Sequence, residues 1–221
     1  MTRLLPLIAF AALAAAGCGG TTSPRSASTT ADGAAEIHAP TVKAARATPN
    51  AFSGGTVSPI KAAPELGLRT WQGRKVMLAD YAGKAVLVTF LYVDCPDICP
   101  LIVDNLVRVK ERLGAAGTKM RIVAVSVDPT ELTRPGAIKR FLTTHRALKD
   151  VDYLVGTPAE LEKAWARWGI AARANKDNPA LIEHSGVIWG VDAKGRRATF
   201  YPASGFDAAD IEGDVRLLLK G

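Results

Sequence analysis

The chain has 221 residues, 28 Lys and Arg against 21 Asp and Glu, a formal charge of +7, and 48% hydrophobic residues. That suffices for one domain with a proper core plus a tail, and it excludes a wholly disordered chain. Three cysteines are too few for a disulfide-stapled scaffold, and the scattered basic residues lack interleaved aromatics, which argues against nucleic acid as a partner.

At the N-terminus, Arg3 precedes an apolar run from Leu4 to Ala16. The run falls short of the roughly 20 residues a spanning helix needs, but suits the apolar segment of an export signal. It ends in Ala15-Ala16-Gly17-Cys18, which resembles a bacterial lipobox with Ala15 where Leu is usual. Residues 1–17 therefore read as a lipoprotein signal peptide and Cys18 as the lipidation site; the alternative is an ordinary cleaved signal. Such an anchor places the domain in the bacterial cell envelope, outside the cytoplasm, held to a membrane by acyl chains. Residues 18–64, rich in Ala, Thr, Ser, Pro and Gly without an apolar period, read as a flexible tether, with His38 a solvated residue in it.

The folded domain is expected over 65–221. Leu68 to Leu78 reads as a hairpin turning at Gln72-Gly73. Ala85 to Tyr92 is an apolar run suited to a strand covered on both faces. After Cys-Pro-Asp-Ile-Cys-Pro, a helix puts Ile102, Leu106, Val109 and Leu113 on one face. Arg121 to Val127 is a second buried strand ending at Asp128-Pro129, and a helix through Ile138, Phe141 and Leu142 follows. Tyr153 to Val155 is a short strand. Thr157-Pro158-Ala159-Glu160 then starts a capped helix whose Leu161, Trp165 and Trp168 belong to the core. Asp177 to Glu183 reads as an irregular loop, Ser185–Val191 and Ala198–Tyr201 as a hairpin, and Asp207 as the cap of a last helix. The order predicts an α/β mixed sheet with helices on both faces: a thioredoxin-like fold with an N-terminal β-hairpin and an inserted strand–helix.

Chemistry concentrates in three residues. Cys95 and Cys99 are spaced C-x3-C where a buried strand gives way to a helix. Cys99 is expected in the first turn, where free N–H groups and the helix dipole stabilise a thiolate; Pro100 fits there and Asp97 is a candidate cap. A structural disulfide is the plain alternative, but strand-to-helix corners are where open α/β sheets carry sites. His184 precedes a strand on a loop that a thioredoxin-like fold packs beside that helix, so it is the third candidate ligand. His145, at a helix end, reads as a solvated or dipole-pairing residue. Two thiolates and an imidazole form a soft set that favours Cu(I), with Cu(II) served if an oxygen ligand joins. Structural zinc wants a fourth protein ligand, and none is obvious.

The segment Phe90-Leu91-Tyr92-Val93-Asp94-Cys95-Pro96-Asp97-Ile98-Cys99-Pro100 resembles the signature of the Sco/SenC family of copper-binding, thioredoxin-like proteins. Val125-Ser126-Val127-Asp128-Pro129 resembles its second motif and His184-Ser185 its third, in the same order across the domain. Two positions depart from the pattern: Val93 stands where Thr is usual, and Thr130 to Pro135 follows the family's acidic run only loosely. Asp128 is placed either facing the site or capping a turn. The resemblance implies copper held by Cys95, Cys99 and His184. It further implies a part in maturing the CuA centre of cytochrome c oxidase, or broader copper and thiol handling outside the cytoplasm. The expected partners are a membrane, a copper-accepting oxidase subunit and a thioredoxin-like reductant. Carriage rather than turnover is the expected mechanism. The rival is a thiol–disulfide oxidoreductase using Cys95 and Cys99 to reduce the acceptor's cysteines; a thiol peroxidase is a third reading that a paired C-x3-C does not favour.

Overall fold

The computed structural model describes residues 51–221, so Cys18, His38 and the signal segment lie outside the described residues. The described residues form nine strands: β1 (Gly55–Ala62), β2 (Arg69–Thr70), β3 (Ala85–Leu91), β4 (Met120–Ser126), β5 (Val151–Val155), β6 (Ala172–Ala174), β7 (Ile182–His184), β8 (Val187–Val191) and β9 (Arg196–Pro202). Four α-helices join them: α1 (Ile98–Arg112), α2 (Pro135–Thr144), α3 (Pro158–Trp168) and α4 (Ala208–Leu218). Seven strands form one sheet in the order β1-β9-β8-β3-β4-β5-β2, and β6 pairs with β7 in a separate ribbon.

The centre of the sheet is parallel. β3 runs alongside β4 from Ala85↔Met120 to Leu91↔Ser126, and β4 alongside β5. Every residue of β3 is buried, as its unbroken apolar run requires of a strand covered on both sides. Helices do cover both sides. Gly190 of β8 lies under Leu218 of α4, so close that a Cβ there would collide with Thr199 and press on Leu218. Its neighbour Trp189 faces the opposite way, since strand side chains alternate. There Trp189 shares the Arg197 guanidinium with Trp168 of α3, at 4.3 and 6.0 Å from the two rings. Trp165 and Trp168 are both buried, as core aromatics should be.

The helix signals act as the sequence indicates. Thr157 and Glu160 form a reciprocal capping box at α3, Pro158 opens the helix, and Gly169 closes it in the left-handed region at φ 71°. Asp207 Oδ1 accepts from the Ala209 N–H at the start of α4, at 2.7 Å.

Three expectations give way. The hairpin over 68–78 is narrower than expected. The Thr70 N–H donates to the Arg74 carbonyl at 2.8 Å, the Val76 N–H to the Leu68 carbonyl at 3.1 Å, and Arg69 bridges Lys75, while β2 pairs along its other edge with β5. The loop 177–183 is partly a strand: Ile182, Glu183 and His184 pair with Ala174, Arg173 and Ala172. The folded domain also begins earlier than composition suggests. Residues 55–62 form β1, which pairs with β9 at Gly55↔Phe200, Thr56↔Thr199, Lys61↔Arg197 and Ala62↔Arg196. This edge strand is largely exposed and has no apolar alternation to announce it.

Its entry is fixed from the far end of the chain. Asp214 of α4 is 1% exposed, and its carboxylate accepts from the Ser53 and Gly54 N–H groups and the Tyr201 hydroxyl, at 2.8, 2.9 and 2.5 Å. Asp214→Ala should therefore destabilise the domain by about 2 to 3 kcal/mol, the cost of leaving buried donors unpaired. The urea midpoint measures this, and β1 amides should lose exchange protection first. An unchanged midpoint with a protected β1 would show that strand pairing alone holds the segment.

Candidate metal centre

The backbone leaves the sheet after Leu91 and enters α1 at Ile98, so residues 92–97 form the corner. The Cys95 N–H returns to the Tyr92 carbonyl at 3.3 Å, which bends the chain and sets Cys95 over the head of the helix. Both cysteines are free thiols; Cys99 is fully buried and Cys95 is 9% exposed.

The two thiols are coupled electrostatically. The Cys99 thiol donates to the Cys95 sulfur, which also accepts from the Asp97 and Cys99 backbone N–H groups, with His184 adding a smaller electrostatic contribution. Together these hold the Cys95 thiol well below the ordinary thiol range despite its partial burial. Cys99 is driven far upward by the same bond and by burial. The roles thus reverse the expectation from helix position. Cys99 sits in the first turn, but its own N–H, with that of Asp97, serves the sulfur of Cys95. Asp97 occupies the position before the helix without a side-chain capping bond.

His184 ends β7, and the ribbon carrying it is tied down by reciprocal bonds. The Ser185 N–H donates to the Ala171 carbonyl at 2.9 Å, and the Ala171 N–H to Ser185 Oγ at 3.1 Å. His184 Nδ1 lies 3.2 Å from the Ser185 carbonyl oxygen. A donating Nδ1–H leaves Nε2 as the unprotonated nitrogen, the form a metal requires. Burial lowers the imidazole's pKa, which keeps it neutral.

Tyr92 joins the two halves. Its ring meets His184 edge-on with centroids 6.2 Å apart, and its hydroxyl accepts from the Ile182 N–H of the ribbon at 3.3 Å. Among the described residues, no three His, Cys, Asp or Glu side chains are grouped closely enough to hold a metal ion. The structure therefore shows an assembled thiol pair and a neighbouring imidazole, not a closed three-donor cluster.

The remaining acidic and basic residues find other work. Asp128 is a cap: it accepts from the Thr130 N–H and hydroxyl, both at 2.8 Å. Arg134 reaches Asp94, next to Cys95, at 2.6 Å. His145 ends α2 and pairs through Nδ1 with Asp104 of α1 at 2.8 Å. Two residues beside the corner are given no role by the sequence. Tyr92 reads as the end of an apolar strand and one member of the signature segment. Glu131, in the loosely matching acidic run, is 1% exposed and bonds the Val93 N–H.

Alkylation of the reduced chain should label Cys95 and spare Cys99. The rate should hold as pH falls through about 8.5, where an ordinary thiol loses its thiolate. Cys99→Ala removes the donor that contributes most, so the Cys95 reactivity profile should move to higher pH. Site-resolved mass spectrometry against pH reads both effects; equal labelling of both sulfurs with an ordinary midpoint would refute the coupling of the two thiols.

The SCO1/SenC family model matches residues 61–220. A SCO1 protein homolog of Bacillus subtilis is 29% identical over 93 residues, covering 41% of this chain and 48% of the relative. The match thus spans about half the length of that curated relative. Among solved structures, apo Sco1 from Thermus thermophilus aligns over 76% of this chain and 96% of its own, at 24% identity and a TM-score of 0.66. Copper-bound ScoI of Bradyrhizobium japonicum aligns over 71% and 98%, at 25% identity and a TM-score of 0.61. With the mixed sheet, the C-x3-C corner and the family match over most of its length, this thioredoxin-like chain belongs to the SCO1/SenC family.

Proposed function

We propose that the chain is an exported copper carrier. Cys95, Cys99 and His184 hold one Cu(I) and pass it to an acceptor such as the CuA centre of cytochrome c oxidase. The observation that carries this reading is the pair of free cysteines at the head of α1, with the His184 imidazole against Tyr92 beside them. Copper-bound forms of related proteins of the same fold support it. Two sulfurs and an unprotonated nitrogen suit Cu(I) in particular.

Loading is a displacement. Cu(I) meets the Cys95 thiolate first, and the Cys99 thiol gives up its proton as its sulfur joins. His184 Nε2 completes the set when the β6–β7 ribbon closes over the corner. No electron moves in this step. Release reverses it: an acceptor thiolate enters the copper's ligand set as one of the three donors leaves, so the ion is never free in water. The chain between Cys18 and β1 is the tether, and lipidated Cys18 the anchor. No helix among the described residues is long and apolar enough to cross a membrane.

His184→Ala should lower Cu(I) affinity by more than the 10- to 100-fold typical of losing an outer-shell partner, while still allowing a Cys95–Cys99 disulfide. Anaerobic competition with a chromogenic chelator measures it; wild-type affinity in the variant would remove His184 from the ligand set. Because one proton leaves per copper, the apparent affinity should also rise about tenfold per pH unit while Cys99 keeps its proton. A flat profile would mean that the buried thiol takes no part.

The second reading is a thiol–disulfide oxidoreductase that keeps an acceptor's cysteines reduced. The lowered pKa of Cys95 favours it, since the thiolate is the attacking species. It predicts weak copper binding indifferent to His184 and fast exchange with a thioredoxin-like reductant.

A further inference from the structure

The chain must leave the sheet between Leu91 and Cys95, and backbone groups there lose their strand partners. The Val93 N–H is one of them. It donates to Glu131 Oε1 at 2.6 Å. The other carboxylate oxygen accepts from the Tyr153 hydroxyl of β5 and the Ser126 hydroxyl at the end of β4, each at 2.6 Å. Such short bonds have the length of charge-assisted contacts. Glu131 is only 1% exposed, and Tyr153 is completely buried.

Burying a carboxylate is costly, and packing alone would be met as well by an apolar side chain. What an apolar side chain could not supply is an acceptor for an amide two residues before Cys95. The same short segment grips the next residue from outside. Arg134, whose N–H returns to the Glu131 carbonyl at 2.9 Å, bonds Asp94 at 2.6 Å. Val93 and Asp94 are thus held from inside and outside by one turn, residues 128–134. The exposed ion pair contributes little in water, so the buried bond is the one that fixes the corner.

We propose that Glu131 is a positioning residue for the sulfur pair: its carboxylate ties the Val93–Cys95 corner to Ser126 at the end of β4 and to Tyr153 within β5, and so sets where the Cys95 sulfur stands relative to Cys99 and His184. The inference rests on the thiol pair being the working site, whichever cargo it handles. It predicts a graded series. Glu131→Gln keeps an oxygen facing the Val93 N–H and offers its amide hydrogens to the two hydroxyls. Glu131→Asp keeps the charge but is one methylene too short to reach Val93. Glu131→Ala removes the acceptor.

The test uses the full chain in detergent and three readouts: hydrogen exchange of the Val93 amide, the Cys95–Cys99 reduction potential, and Cu(I) affinity by chelator competition. Wild type and Glu131→Gln should protect the Val93 amide and agree in potential and affinity. Glu131→Asp and Glu131→Ala should lose that protection, shift the potential, and weaken copper by about 10- to 100-fold. If Glu131→Ala does not fold, Glu131→Asp carries the comparison. The proposal is overturned if folded Glu131→Asp or Glu131→Ala keeps wild-type affinity and potential. It is equally overturned if the wild-type Val93 amide exchanges as freely as an exposed loop, or if Glu131→Gln fails as badly as Glu131→Ala. A wild-type chain that binds no copper would refute the carrier reading alone; exchange and potential would still judge Glu131.

Discussion

Between the end of β3 and the start of α1 the backbone has no strand or helix to bond to, and the rest of the site follows from how that corner is satisfied. Tyr92 supplies its carbonyl to Cys95, Val93 gives its N–H to a buried carboxylate, and Asp97 and Cys99 give theirs to a sulfur. Each bond that keeps the corner from collapsing also aims something at the thiol pair. Structural need and chemical function use the same hydrogen bonds. A thiolate at Cys95 is stable because two backbone donors that would otherwise be orphans point at it.

The two sulfurs differ although they belong to one short motif. Cys99 is fully enclosed and keeps its proton; Cys95 borders solvent and carries the charge. An asymmetric pair suits both readings of the site, because a copper ion and a target disulfide both approach from the exposed side and meet a thiolate first. His184 belongs to a different mechanical unit. It rides on a two-stranded ribbon outside the main sheet, coupled to the corner through Tyr92 by a ring contact and one hydrogen bond. In the proposed carrier, a dithiol and a separately mounted imidazole would let the third donor join or leave without disturbing the other two.

The parallel centre of the sheet provides the rigidity. β3, β4 and β5 run side by side, and Glu131 bonds the Val93 N–H just beyond β3, the Ser126 hydroxyl at the end of β4 and the Tyr153 hydroxyl of β5. The far edge is built differently. β1 is exposed and depends on Asp214 of α4, so the segment leading back toward the N-terminus is fastened by the last helix of the fold. A pull on that segment is borne by β1 and α4, at the opposite edge of the sheet order from β5.

The sequence by itself determined the parallel core and the helices, and it singled out Cys95, Cys99 and His184 as candidate donors. Continuous apolar runs, capping residues and a C-x3-C spacing are local patterns, set by neighbours a few positions apart. It did not reveal β1, because an exposed edge strand has no apolar alternation and exists only where β9 offers it a partner. It found the narrow hairpin at β2 but not that strand's second partner, β5, more than eighty positions away. It placed the thiolate on Cys99 from helix position, whereas burial and the direction of two N–H groups put it on Cys95. Glu131 was legible as one acidic residue in a run that fits its family loosely. Only the folded chain, which brings Val93, Ser126 and Tyr153 to a single carboxylate, decided that it is buried and what it holds.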